Sequence, residues 1–93
     1  MYMLTFKVHG KPDRATEISQ SLKDITEKVK KVEGCLDAHV YSEISDEPIF
    51  FLTQEWQKRR ALEDHLNSGL FAALLGISSL LEKPPEIRRY IDD

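Results

Sequence analysis

Apolar residues recur at every second position from Tyr2 through Leu4 and Phe6 to Val8, and then, past Gly10 to Pro12, at spacings of three and four: Ala15, Ile18, Leu22, Ile25, Val29 and Val32. A period of two puts alternate side chains on opposite faces of a strand, whereas a period near 3.6 draws one stripe along a helix. This switch predicts a strand followed by an amphipathic helix within the first third of the chain. Asp13 near the start of the helical stretch and Lys28, Lys30 and Lys31 near its end complement the helix dipole. Gly34 supplies a left-handed stop.

Alternation resumes from Cys35 to Ile44, with Leu36, Ala38 and Val40 expected on one face and Asp37, His39 and Tyr41 on the other. Ser45 to Pro48 reads as a turn, and Ile49 to Trp56 is aromatic and β-branched, which predicts an antiparallel hairpin. Lys58 to Asn67 and Leu70 to Leu81 read as two helical pieces broken near Ser68 and Gly69, with Ser68 able to cap the second. Pro84 and Pro85 end it, and Glu86 to Ile91 gives a short last strand. The order β, α, β, β, α, β is the split βαβ, ferredoxin-like α+β arrangement, an antiparallel sheet with both helical segments on one face. Strand three carries Phe50, Leu52 and Trp56 on one side and Ile49 and Phe51 on the other. Helices cover only the first side, so a second sheet is expected on the other, most economically in an isologous homodimer.

Ninety-three residues make one domain, residues 1–93, with material for one modest core. Apolar residues are 41% and charged residues 31% of the chain, which excludes a disordered or membrane-embedded class. The longest apolar run, Leu70 to Leu75, is far short of the ~20 residues of a bilayer span, and no basic start leads into a signal-like segment. A cytoplasmic location is expected. Net charge is −3 with acids and bases interspersed, so there is no electrostatic footprint for nucleic acid. The basic cluster Lys58, Arg59, Arg60 reads as a solvated first helical turn rather than an anion site. Cys35 alone forms no internal disulfide, and three scattered histidines lack zinc spacing, so no metal is expected.

Across "GCLDAHVYSEISDEPIFFLTQEW", "RRALEDHLNSGLFAALL" and "LLEKPPEIRRY" the chain resembles the antibiotic biosynthesis monooxygenase family of small dimeric α+β barrel proteins. The resemblance rests on Gly34-Cys35 before strand two, Glu55-Trp56 closing strand three, the helical segment with His65, Asn67, Ser68 and Phe71, and the closing Pro84-Pro85-Glu86-Ile87. It implies a dimeric α/β barrel whose sheets face each other, each protomer holding a pocket between its sheet and its helices. Family members include cofactor-free oxygenases of phenols and quinols, heme-degrading oxygenases and an isomerase, so membership does not settle the reaction. In the heme-degrading branch an asparagine, a tryptophan and a histidine iron ligand make the site. Phe6, His65 and Leu75 stand at those positions here, which argues against heme. The family's common Pro-His before Phe71 is Gly69-Leu70.

The oxygenase reading needs no cofactor. Triplet dioxygen reacts with a substrate electron-rich enough to surrender one electron, and a deprotonated hydroquinone or naphthol qualifies. The protein then needs an apolar pocket for a small aromatic molecule, a base and a donor. His65 is the candidate base: Leu62, His65 and Leu66 lie within one helical turn, and an ordinary imidazole pKa of about 6.5 leaves it neutral near pH 7. A packed histidine at the core edge is the competing reading. Trp56 is a candidate pocket wall whose indole N–H could reach a quinone oxygen, and Phe71 and Phe6 are candidate walls. Asn67 and Arg88 are candidate donors to an anionic oxygen, against a loop-capping and a surface role. His39 is placed on the second face of strand two, His9 in a turn, and Cys35 in the core. Two alternatives share the scaffold: an isomerase of a small carbonyl compound using His65, and a non-catalytic dimeric module that binds a ligand or serves in stress.

Overall fold

The computed structural model describes residues 1–91. Its strands are β1 (Tyr2–His9), β2 (Cys35–Ser42), β3 (Ile49–Trp56) and β4 (Glu86–Ile91), and its helices are α1 (Ala15–Val29), α2 (Arg59–Leu66) and α3 (Gly69–Leu75). Single 3-10 stretches, Pro12–Arg14 and Gly76–Leu80, precede α1 and follow α3. The sheet order is β2-β3-β1-β4 and every pairing is antiparallel. This is the ferredoxin-like α+β fold anticipated from the periodicity.

In β1, Leu4, Phe6 and Val8 are buried and oppose Gln54, Leu52 and Phe50 of β3. The apolar stripe of α1, Ile18, Leu22, Ile25 and Val29, packs into the same core. Burying each such side chain contributes roughly 1.5–3 kcal/mol before chain entropy is counted. Gly10, where the chain leaves β1, donates its N–H to the Pro48 carbonyl at 2.9 Å, and a Cβ there would collide with Ile18. A side chain there would have to displace the end of Ile18 and press on the Pro48 carbonyl, so glycine eases the close approach of strand end and helix.

Several expectations need correction in detail. The α1 helix stops at Val29, so Val32 reaches the core from the turn beyond rather than from the helix. A bulge between Cys35 and Asp37 pushes Leu36 out of register and leaves it 56% exposed, not inward with Ala38 and Val40. An inserted residue reverses the alternation that sequence parity assumes. Strand β2 ends at Ser42, and Ile44 lies exposed in the connection. His9 is no turn residue: it closes β1 opposite Ile49, and its Nε2 lies 3.1 Å from Glu86 Oε2. The second helical piece keeps α-geometry only to Leu75, because Gly76 is a poor helix former and the Ser78 hydroxyl donates to the Leu75 carbonyl at 2.6 Å.

The face away from the helices carries Phe51 at 38%, Tyr41 at 53% and Tyr90 at 50% exposure. His39 lies there with its Nε2 2.7 Å from Asp37 Oδ2 and its ring beside Tyr41, as expected. Among the described residues no helix is long and apolar enough to cross a membrane.

Candidate functional site

Only Gln57 and Lys58 separate the end of β3 from the start of α2, so the chain turns sharply back and lays α2 over the strand it has just left. Trp56 and His65 meet as a result, their rings stacked with centroids 4.8 Å apart and planes 29° from parallel. Phe71, in the first turn of α3, closes the third side edge-on at 5.7 Å. The imidazole is thus held by an aromatic corner drawn from β3, α2 and α3.

His65 is 2% exposed, and its Nε2 is sealed from solvent without a hydrogen-bond partner. Desolvation by that burial holds its pKa below the ordinary imidazole value. A neutral ring is therefore the resting state. Its other nitrogen, Nδ1, lies 3.5 Å from Ser68 Oγ. That hydroxyl also donates to the His65 carbonyl at 2.7 Å and accepts from the Phe71 N–H at 3.3 Å as the N-cap of α3. Sequence reading identifies the cap but not the contact with the histidine, although the i, i+3 spacing of His65 and Ser68 is a usable signal.

A cleft of about 470 Å³ opens beside this corner, within the range of small-molecule sites. Val32, Gly34, Ala61, His65, Ser68 and Leu70 line it, with Glu33, Lys58, Arg60 and Asp64 adding charge. The backbone builds it: Gly34, at φ +90°, accepts the Gln57 N–H at 2.9 Å and lets the turn before β2 approach α2 so closely that a Cβ on it would sit 2.6 Å from that of Ala61. No periodicity announces such an apposition: the resemblance implies a pocket, and the structure lines this one with the turn before β2 and with α2.

The other candidates read from the sequence do not all gather here. Trp56 is fully buried and its indole N–H is already donated to Gln54 Oε1 at 3.3 Å, so it backs the imidazole rather than offering a donor. Phe6 is a core residue between Leu52 and Ile87. Asn67 is exposed and its Nδ2 donates to the Glu63 carbonyl at 3.0 Å, closing α2. Arg88 pairs with Thr5 on the opposite face of the sheet, in a groove of about 250 Å³ with Lys7, Phe51, Glu86 and Tyr90. It does not share a site with His65. Cys35 is half-buried, donates to the Asp37 carbonyl at 3.4 Å, and burial raises its thiol pKa. Leu75, which the family resemblance sets against the iron ligand of the heme-degrading branch, is exposed. Among the described residues no three His, Cys, Asp or Glu side chains converge as metal ligands.

A four-stranded split βαβ domain with a desolvated imidazole, its Nε2 unpaired, beside an open cleft defines a ferredoxin-like α+β protein with room for a small molecule. The pattern of the antibiotic biosynthesis monooxygenase family matches residues 1–75, and the chain belongs to that family. Among solved structures it is similar to a conserved protein from Methanosarcina mazei, with 29% identity over 99% of this chain and 92% of that one and a TM-score of 0.88. It is also similar to a candidate antibiotic biosynthesis monooxygenase from Deinococcus radiodurans, with 22% identity, coverage of 100% and 93%, and a TM-score of 0.90. A conserved protein of unknown function from Bacteroides thetaiotaomicron aligns at 20% identity over 96% and 94% of the chains with a TM-score of 0.83. No curated protein matches significantly.

Proposed function

We propose that this chain is a cofactor-independent monooxygenase that oxidises a small phenolic or quinol-type substrate with dioxygen, with His65 as the base. The observation that carries the reading is the Nε2 of His65, buried without a partner on a side chain that lines the cleft. An unpaired buried polar atom costs roughly 1–3 kcal/mol, a cost a folded protein bears where a ligand supplies the missing bond. The depressed pKa keeps the ring neutral and able to accept a proton. Because Nε2 has no accessible surface, this reading requires the cleft lining around His65 to move before a substrate can reach it.

In the proposed reaction a naphthol or hydroquinone with an open ring carbon gives its phenolic proton to Nε2. The anion passes one electron to dioxygen, and the resulting superoxide and aryl radical join at the ring carbon to form a C–O bond. The peroxide anion takes back the proton from His65; loss of the ring C–H proton then breaks the O–O bond, leaving a quinone carbonyl and releasing water. One oxygen atom enters the product and the other leaves as water, with all four electrons from the substrate. Lys58 and Arg60 are the cations on the cleft wall available to the phenolate oxygen.

The protein is further proposed to act as a homodimer through the uncovered sheet face, whose exposed Phe51, Tyr41 and Tyr90 suit burial against a second copy. Its free Cys35 is compatible with the reducing cytoplasm.

Oxygen consumption by the metal-stripped protein with a panel of hydroquinones and naphthols, beside His65→Gln, tests the reading. Uptake in the parent that is lost in the variant is expected. Turnover that persists without oxygen would replace it with the isomerase alternative, and saturable binding with no turnover would replace it with a ligand-binding role.

A further inference from the structure

The hydroxyl of Ser68 has three neighbours and one hydrogen. Its shortest contact is to the His65 carbonyl at 2.7 Å, an acceptor only, so the hydroxyl hydrogen is committed there. The Phe71 N–H occupies one lone pair at 3.3 Å. What faces Nδ1 of His65 at 3.5 Å is therefore the second lone pair of Oγ. A bare nitrogen lone pair there would be repelled; an N–H would be attracted. The same tautomer leaves Nε2 as an unpaired acceptor rather than an unpaired N–H, and among backbone groups an orphaned buried donor is rarer than an under-satisfied acceptor.

We infer that Ser68 is the positioning residue of this site: its hydroxyl holds His65 in the Nδ1–H tautomer and leaves Nε2 as the ring's only basic lone pair, able to accept a proton from a hydroxyl-bearing ligand. The ordinary preference of a solvated imidazole runs the other way, toward Nε2–H, so the local geometry reverses it. One hydroxyl serves two tasks, since the group that orients the ring also caps α3 and so ties the tautomer to the α2–α3 junction. A phenol or naphthol can donate to such a lone pair; a ligand offering only a carbonyl cannot. The inference rests on the reading of His65 as a base, yet the tautomer belongs to the free protein and is measurable whether or not turnover occurs.

The test is the two-bond 15N–1H correlation spectrum of the full chain with labelled histidine, recorded above pH 7.5, with the His65 pattern among the three histidines assigned by its loss in His65→Gln. A pyrrole-type Nδ1 and a pyridine-type Nε2 are expected in the parent. In Ser68→Ala the two nitrogens should shift toward the ordinary Nε2–H pattern, and Ser68→Thr should restore the parent spectrum. Because alanine also removes the helix cap, Ser68→Gly, which retains most capping stability, serves as the second deletion of the hydroxyl. With any substrate found for the parent, kcat should fall roughly tenfold in Ser68→Gly at unchanged KM, and return in Ser68→Thr. An Nε2–H pattern in the parent overturns the inference, as does an Nδ1–H pattern that survives in folded Ser68→Gly. Absence of turnover with the correct tautomer would instead count against the oxygenase reading alone.

Discussion

The indole of Trp56 and the imidazole of His65 stack at 4.8 Å, joining the last residue of β3 to a residue of α2 that follows it by little more than two helical turns. The contact removes both rings from water. It leaves the histidine Nε2 buried without a hydrogen-bond partner, and it makes the chain's only tryptophan a reporter on that histidine.

Stability and activity should separate at His65. Replacement by leucine, of similar volume, removes the unpaired Nε2 and should raise resistance to urea at pH 5 by about 1 kcal/mol. The same change should abolish the oxygen uptake proposed for the parent, by two orders of magnitude or more if the ring is the base. Urea midpoints and oxygen-electrode rates on the two proteins check both.

The pH dependence has a definite sign. Burial lowers the folded-state pKa of His65 below the ordinary value of 6.5, so the unfolded chain takes up the proton first. Stability is greatest above that value, declines as pH falls through it, and stops declining from this cause once the folded ring is also protonated. Asp37 and Glu86, whose pKa values are lowered chiefly by their histidine partners, add their own losses only nearer and below the ordinary carboxyl values of 3.8 and 4.5. Urea midpoints between pH 7 and 5 should therefore fall in the parent and fall less in His65→Leu. Trp56 fluorescence should drop when the stacked ring protonates, with a midpoint below 6.5.

Gly34 is required by its backbone and by its neighbour. At φ +90° any side chain is strained, and a Cβ would press on Ala61. Gly34→Ala should cost at least about 1 kcal/mol and weaken ligand binding at the cleft. Thermal melts and a titration with 1-naphthol would show both losses.

Phe51→Glu should divide the proposed homodimer. The residue is 38% exposed in the middle of the uncovered sheet face, where a charge is tolerated in a monomer but not between two sheets. Sedimentation should show the parent at twice the chain mass and the variant at the single-chain mass. A parent that sediments as one chain would remove the dimer from the proposal.

Much of the fold is legible in the sequence because strands and helices obey local periods. The alternation in β1, the stripe Ile18, Leu22, Ile25 and Val29, and the serine cap of α3 depend on neighbours a few residues away. The likeness of residues around Trp56 and His65 to a known family also points at the corner beside the cleft. Local rules fail where one inserted residue changes parity, at Leu36, and where the end of a strand reads like a turn, at His9.

The sequence by itself determined the order of elements, the single layer of helices and the residue type at the candidate base, all consequences of side-chain pattern along the chain. Only the tertiary structure decided which candidates share a site. Arg88 and His65 stand on opposite faces of one sheet, Trp56 has already given its N–H to Gln54, and Gly34 meets Ala61 to shape a cleft. Those facts follow from how segments distant in sequence cross in space, and such crossings are set by the packing of the whole core rather than by any local run of residues.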